Sequence, residues 1–139
     1  MNEEKFFRKI TFTNSQIVKY LNNALKDIKI AKNQNIAEVK FNYSYNALLK
    51  AGIALIAGIK NLKVKTVPGH HIQILKMMSE ILNDNSVFDI GNAMRMKRNT
   101  DLYEGGILIT EKESNDYCGY VEKIIKDVKK ILESKIKNL

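Results

Sequence analysis

The chain contains a single cysteine, Cys118. That excludes an internal disulfide and a zinc site built from several thiolates of one chain. It also has one proline, Pro68, and seven glycines. So few breakers permit long helices and leave little material for a many-stranded β fold. No apolar run is long: ALLKAGIALIAGI (Ala47–Ile59) covers 13 residues and includes Lys50, whereas a membrane span needs about 20. The opening MNEEKFFRKI has no apolar h-region, so no signal peptide is expected and a cytoplasmic, non-membrane location is. Acids are scarce beside bases, 15 against 23, for a net charge of +8. Such an excess favours polyanionic partners, although a basic bias spread over solvated helix faces has the same composition.

At 139 residues with 45% apolar content, the chain is expected to form one domain that buries a core without staples. No repeat, linker or low-complexity segment interrupts it. Five helices emerge from the periodicity. The first follows the cap candidates Thr13 to Ser15 and carries Ile17, Leu21, Ala24, Ile28 and Ala31 on one stripe. The second, about 36–62, is apolar nearly all round at its centre, as befits a helix surrounded by others. Its Gly52, Ala57 and Gly58 would let neighbours approach closely. KVKTVPGHH breaks the pattern. The third helix, GHHIQILKMMSEIL, places Ile72, Leu75, Met78 and Leu82 on one side, and NDNS ends it and caps the fourth. The fourth runs from about Val87 to Glu104 and stops at Gly105-Gly106. TEKE (Thr110–Glu113) then reads as a capping box opening a fifth helix, with Val121, Ile125, Val128, Leu132 and Leu139 on its apolar side. GILIT (Gly106–Thr110) is the only strand candidate and reads as an extended loop. The expectation is an all-α, about five-helix up-and-down bundle.

The fourth helix is unusual. At about 100° per residue, Phe88, Gly91, Arg95, Arg98, Asn99, Leu102 and Tyr103 share an arc of roughly 140°. Phe88 and Leu102 ask for burial, while the two arginines and Asn99 ask for polar partners. A guanidinium in a low-dielectric setting costs several kcal/mol unless paired, on the order of 3–5 when left alone. Such a face should meet a groove, another subunit or an anion. Arginines that snorkel at a domain edge would give the same spacing, and Asn99 and Tyr103 form an i,i+4 pair that can bond locally.

RNTDLYE (Arg98–Glu104), on the penultimate helix of a small helical chain, resembles the signature of HEPN domains, an arginine and a polar residue followed after four to six positions by a histidine. NYSYNALLKAGIALIAG resembles that family's second helix, GHHIQILKMMSEIL its histidine-led segment and MRMKRN its arginine-rich run. The resemblance covers about residues 13–135. It implies a homodimer facing through the fourth helix, with a shared basic cleft in which Arg95, Arg98 and Asn99 bind RNA or nucleotide phosphate. It further implies a place in a prokaryotic toxin–antitoxin or defence module, with a nucleotidyltransferase antitoxin as partner. In the family's nucleases the arginine holds the scissile phosphate and the histidine moves protons as the 2′-hydroxyl attacks, without metal. Here Tyr103 stands where the histidine is expected, and an unperturbed tyrosine, titrating near 10, is a poor base at neutral pH.

The remaining candidates have plainer readings. His70 and His71 are adjacent and point about 100° apart on a helix, so they do not chelate one metal as an i,i+4 pair would. Capping or packing suits them, or one of them reaches the cleft in place of the missing histidine. Cys118, Phe41, Tyr43 and Tyr45 read as core, and Met77, Met78, Met94 and Met96 as gap-fillers. No phosphate loop, dinucleotide fingerprint, nucleophile elbow or HExxH is present, so no cofactor or metal is expected. Three functions follow: a phosphate-binding module, a metal-independent endoribonuclease using Arg98 with Tyr103 or a histidine, or a structural dimer whose arginines pair with Asp89 or Asp101.

Overall fold

A computed structural model of the chain describes residues 2–105 and 109–136, with the side chains of residues 2, 3 and 101–104 outside the description. Its elements run α1 (Asn2–Phe6), β1 (Phe7–Lys9), α2 (Asn14–Lys32), α3 (Ala37–Lys60), β2 (Leu62–Val64), α4 (His70–Leu82), α5 (Asn85–Glu104) and α6 (Glu111–Lys135). The all-α bundle is present, and α2 to α6 are the five helices read from the sequence. The penultimate, arginine-bearing helix is α5.

Local signals set most boundaries. Thr13 caps α2 through a reciprocal box with Gln16, and Thr110 does the same for α6 with Glu113. Each box satisfies two amide donors that a helix start would otherwise leave bare. Asn83 closes α4 in the left-handed conformation, and the next residue, Asp84, caps α5 by accepting from the Ser86 amide.

The helix α3 is the axis of the bundle. It packs against α2, α4, α5 and α6, which explains its apolar girth. Close approach is built in at two glycines. A Cβ on Gly52 would lie 2.5 Å from both Ile74 and Met78 of α4, and one on Gly58 would lie 2.5 Å from Leu132 of α6. The stripe of α2 is buried as the periodicity requires: Ile17, Leu21, Ala24, Ile28 and Ala31 all face α3 and α6. Lys50, the one charge in the apolar run, reaches out to buried Asp27 at 2.7 Å. A buried carboxylate needs such a partner. Cys118 is a buried core residue.

Four readings need revision. The first is the strand content. Phe7–Lys9 and Leu62–Val64 form a small antiparallel ribbon, with Phe7 opposite Val64, Arg8 opposite Lys63 and Lys9 opposite Leu62. Strands of three residues carry too few positions for a period-two signal. The ribbon holds because Phe6, Phe7 and Leu62 are buried in the main core. Secondly, α1 precedes the ribbon, where the sequence showed only a charged terminus. The third revision concerns α4, whose buried side is centred on Ile74, Leu75, Met78 and Ser79, leaving Ile72 and Leu82 partly exposed. Finally, Met96 fills no gap, since it is 57% exposed. Of the supposed loop Gly106–Thr110, residues 106–108 lie outside the described residues, as does Leu139; Thr110 itself is extended as the N-cap of α6.

Candidate anion site at the start of helix α4

The sequence pattern along α5 changes character midway. Val87, Gly91 and Met94 are buried against the bundle. One further turn along the same side stands Arg98, whose guanidinium lies over the ring of Tyr45 at 5.4 Å from its centroid. Tyr45 belongs to α3 and has no exposed surface. Guanidinium is planar and weakly hydrated, so it covers an aromatic face that a helix of ordinary composition would cover with leucine.

The Tyr45 hydroxyl bonds Nδ1 of His71 at 3.1 Å. Burial pushes the Tyr45 phenol up to about 12 despite the opposing pull of Arg98 and Arg95. The hydroxyl therefore stays protonated and is the natural donor to the ring nitrogen. His71 moves the other way, down to about 4, first because it is buried and then because His70, Arg98 and Arg95 add positive charge around it. A neutral ring with Nδ1 accepting carries its hydrogen on Nε2.

His70 is the first residue of α4. Its Nδ1 lies 2.7 Å from the Val67 carbonyl, which can only accept, so Nδ1 holds a proton and Nε2 bears the lone pair of the neutral ring. The two histidine rings meet edge to face at 4.4 Å. Gly69 starts α4 in the left-handed conformation at φ 85° and offers no side-chain cap. The His70 amide donates to Val67 and the Gln73 amide to Gly69. Among the described residues, the amides of His71 and Ile72 find no acceptor. They are two of the bare donors at a helix start, where the macrodipole also favours negative charge.

Arg95 lies one turn back from Asn99 on α5. Its Nε donates to Asn92 Oδ1 at 2.9 Å, which fixes the guanidinium and leaves both terminal nitrogens for another partner. No described carboxylate pairs with Arg95 or Arg98. Between α5 and the start of α4 lies an open recess of about 390 Å³, walled by the 66–69 turn, His70, His71, Ile72, Arg95 and Asn99. A larger depression of about 660 Å³ between α4 and α5 is lined by Lys76, Glu80 and Asp89 with neutral neighbours. Its mixed charge selects no ion.

Of the site residues expected from sequence, Arg95 and Asn99 line the recess together with both histidines, while Arg98 lies over the Tyr45 ring and outside that lining. Tyr103 and Asp101 belong to α5, and their side chains lie outside the description. Sequence reasoning placed Tyr45 in the core, which is correct, but did not see that Arg98 would be its cover. Nor did it find the free amides at the start of α4, although Gly69 without a Ser, Thr, Asp or Asn ahead of the helix was the available signal. Among the described residues there is no cluster of three or more metal-ligating side chains, and no helix is long and apolar enough to cross a membrane. No family model, no curated protein and no solved structure matches the chain.

Proposed function

We propose that the recess binds phosphate groups of RNA or a nucleotide, in a domain of HEPN type. One observation carries the reading: the Arg95 guanidinium, paired with no described carboxylate, lines a recess together with a helix start whose His71 and Ile72 amides find no acceptor among the described residues, and the Arg98 guanidinium, likewise without a described carboxylate, lies nearby over Tyr45. Fixed, positively polarised donors around a small open recess are what a phosphate requires. The order of motifs along the chain supports the HEPN reading. Pairing of two copies through α5 belongs to the same proposal, and the 57% exposure of Met96 on that helix supports it.

A second reading adds chemistry to the same recess. His70 presents a lone-pair nitrogen whose orientation is set by the Val67 carbonyl, and such a nitrogen can accept the proton of an RNA 2′-hydroxyl. His70, rather than Tyr103, would then act as the base, with Arg95 and Arg98 on the phosphate. The test uses short RNA with EDTA present, following both binding and cleavage. Binding that weakens with salt and falls at least tenfold in Arg95→Ala/Arg98→Ala supports the binding module. Cleavage lost in His70→Ala while binding persists supports the nuclease. Salt-insensitive binding, or none, refutes both.

A further inference from the structure

The ribbon of β1 and β2 carries a second concentration of positive charge that the recess does not use. Arg8 and Lys63 stand directly opposite each other in the antiparallel register, and both are exposed. Like charges placed so oppose pairing of the strands. Neither is neutralised by a described carboxylate. Beside them, Lys9 and Lys60 flank an open depression of about 350 Å³ that also presents Thr11 and Asn61. The chain around them is free of acids over residues 5–26 and 39–79. The nearest acids in the sequence are Glu3 and Glu4, and the Glu4 carbonyl accepts from Lys65 at 2.6 Å.

The ribbon and the recess are continuous. The chain leaves β2 and enters the 66–69 turn that walls the recess. The Lys65 amide donates to the Phe6 carbonyl at 2.7 Å, and the Phe6 ring lies 3.6 Å from where a Cβ of Gly69 would stand. The basic ribbon is thus joined through the chain, and braced through Phe6, to the turn that walls the recess.

We propose that this ribbon is a second phosphate-binding surface, and that the ligand is a single-stranded nucleic acid spanning recess and ribbon rather than a lone nucleotide. The proposal rests on the phosphate reading of the recess. An anionic membrane is a weaker match. The two exposed large apolar side chains among the described residues are Ile36 and Met96, neither on the ribbon, so the ribbon itself has nothing to insert among acyl chains. Charge on a ribbon edge also deters edge-to-edge association. Glutamine variants retain polarity there and remove only the cation.

The experiment measures binding of the full chain to a mixed single-stranded RNA of about 12 nucleotides, from about 50 to 200 mM salt, for wild type and Arg8→Gln/Lys63→Gln. Each lost phosphate contact lowers the slope of log affinity against log salt by about 0.7, so the double variant should lose about 1.4. Its affinity for a nucleoside monophosphate should stay unchanged. Equal slopes and affinities for wild type and variant would overturn the proposal. So would a monophosphate that binds as tightly as the oligonucleotide, or polyglutamate or phosphatidylserine vesicles that displace RNA at equal charge. A reduced slope with no monophosphate binding at all would sink the recess reading and leave the ribbon standing.

Discussion

Acidification should weaken the wild-type fold more than that of a His71→Asn variant, and the difference can be worked from the site. In the folded chain His71 is held at about 4 against an ordinary 6.5. Above 6.5 the ring is neutral in both folded and unfolded chains, and the advantage of the folded state is fully present. As the pH falls below 6.5, the unfolded chain takes up a proton that the folded chain refuses. Stability therefore declines through the window from 6.5 to about 4 and levels off beneath it. Each pH unit of that window is worth about 1.4 kcal/mol, giving an upper bound of about 3 kcal/mol. The ring is only half-buried, so water screens part of the cost, and about 1–2 kcal/mol is expected.

Urea unfolding at pH of about 7.5 and 4.5 measures this directly. With a slope of about 1–3 kcal/mol per molar, the midpoint of the wild type should fall by roughly 0.5–1 M more than that of the variant. Asparagine keeps an acceptor near the position of Nδ1 for the Tyr45 hydroxyl but does not titrate. Carboxyls that the fold holds low, such as Glu122 bonded to Lys32 and Glu113 bonded to the Thr110 amide, lose their contribution at lower pH. They are common to both proteins and cancel. Removing the nearby cations in Arg95→Gln/Arg98→Gln should shrink the acid-induced loss, because those guanidiniums help to keep His71 neutral. An equal midpoint shift in wild type and His71→Asn, or an NMR titration placing His71 near 6.5, would refute the account.

Three stability predictions concern helix interiors and ends. Gly52→Ala should lower stability by about 1 kcal/mol, because a Cβ 2.5 Å from Ile74 overpacks the α3–α4 contact by more than the improved helix propensity returns. Gly119→Ala on α6, where a Cβ meets nothing within 4 Å, should instead raise it by about 0.5–1 kcal/mol, so thermal unfolding of the pair separates packing from propensity. Thr110→Ala removes the acceptor of the Glu113 amide and should cost about 1 kcal/mol, read as a lower unfolding midpoint.

The parts of the fold that were legible in the sequence are those whose information is local. The spacing from Ile17 to Ala31, the box at Thr110 and Glu113 and the small residues at Gly52 and Gly58 each describe one helix or one turn of it. The ribbon was illegible because its strands are too short to show alternation and pair residues 7–9 with the distant residues 62–64. Half of the site could be read in the same way. Arg95, Arg98 and Asn99 share a face by helical geometry alone. Their companions arrive by tertiary packing: Tyr45 from α3, and the histidines and bare amides from the start of α4. No spacing rule relates Tyr45 to His71 or Arg98, and a buried tyrosine looks the same in sequence whether its face is covered by leucine or by a cation.

That cover explains why two arginines occupy a side of α5 that begins as core. The helix α3 presents the wholly buried ring of Tyr45 at the point where the apolar side of α5 runs out. Leucine there would seal the ring and leave no charge. Lysine would bring charge, but its compact, strongly hydrated ammonium lies poorly on an aromatic face. Arginine can lie on the ring and keep its charge, so contact with Tyr45 holds the Arg98 guanidinium in place. On the proposed phosphate reading, stability and affinity are coupled through one side chain: truncating Arg98 would uncover Tyr45 as it removes a candidate phosphate donor. On the ribbon the proposal keeps the two separate, because Arg8 and Lys63 are exposed and stand opposite each other. On the proposed reading the recess would fix the ligand's position, and the ribbon is where charge could be changed without disturbing the core.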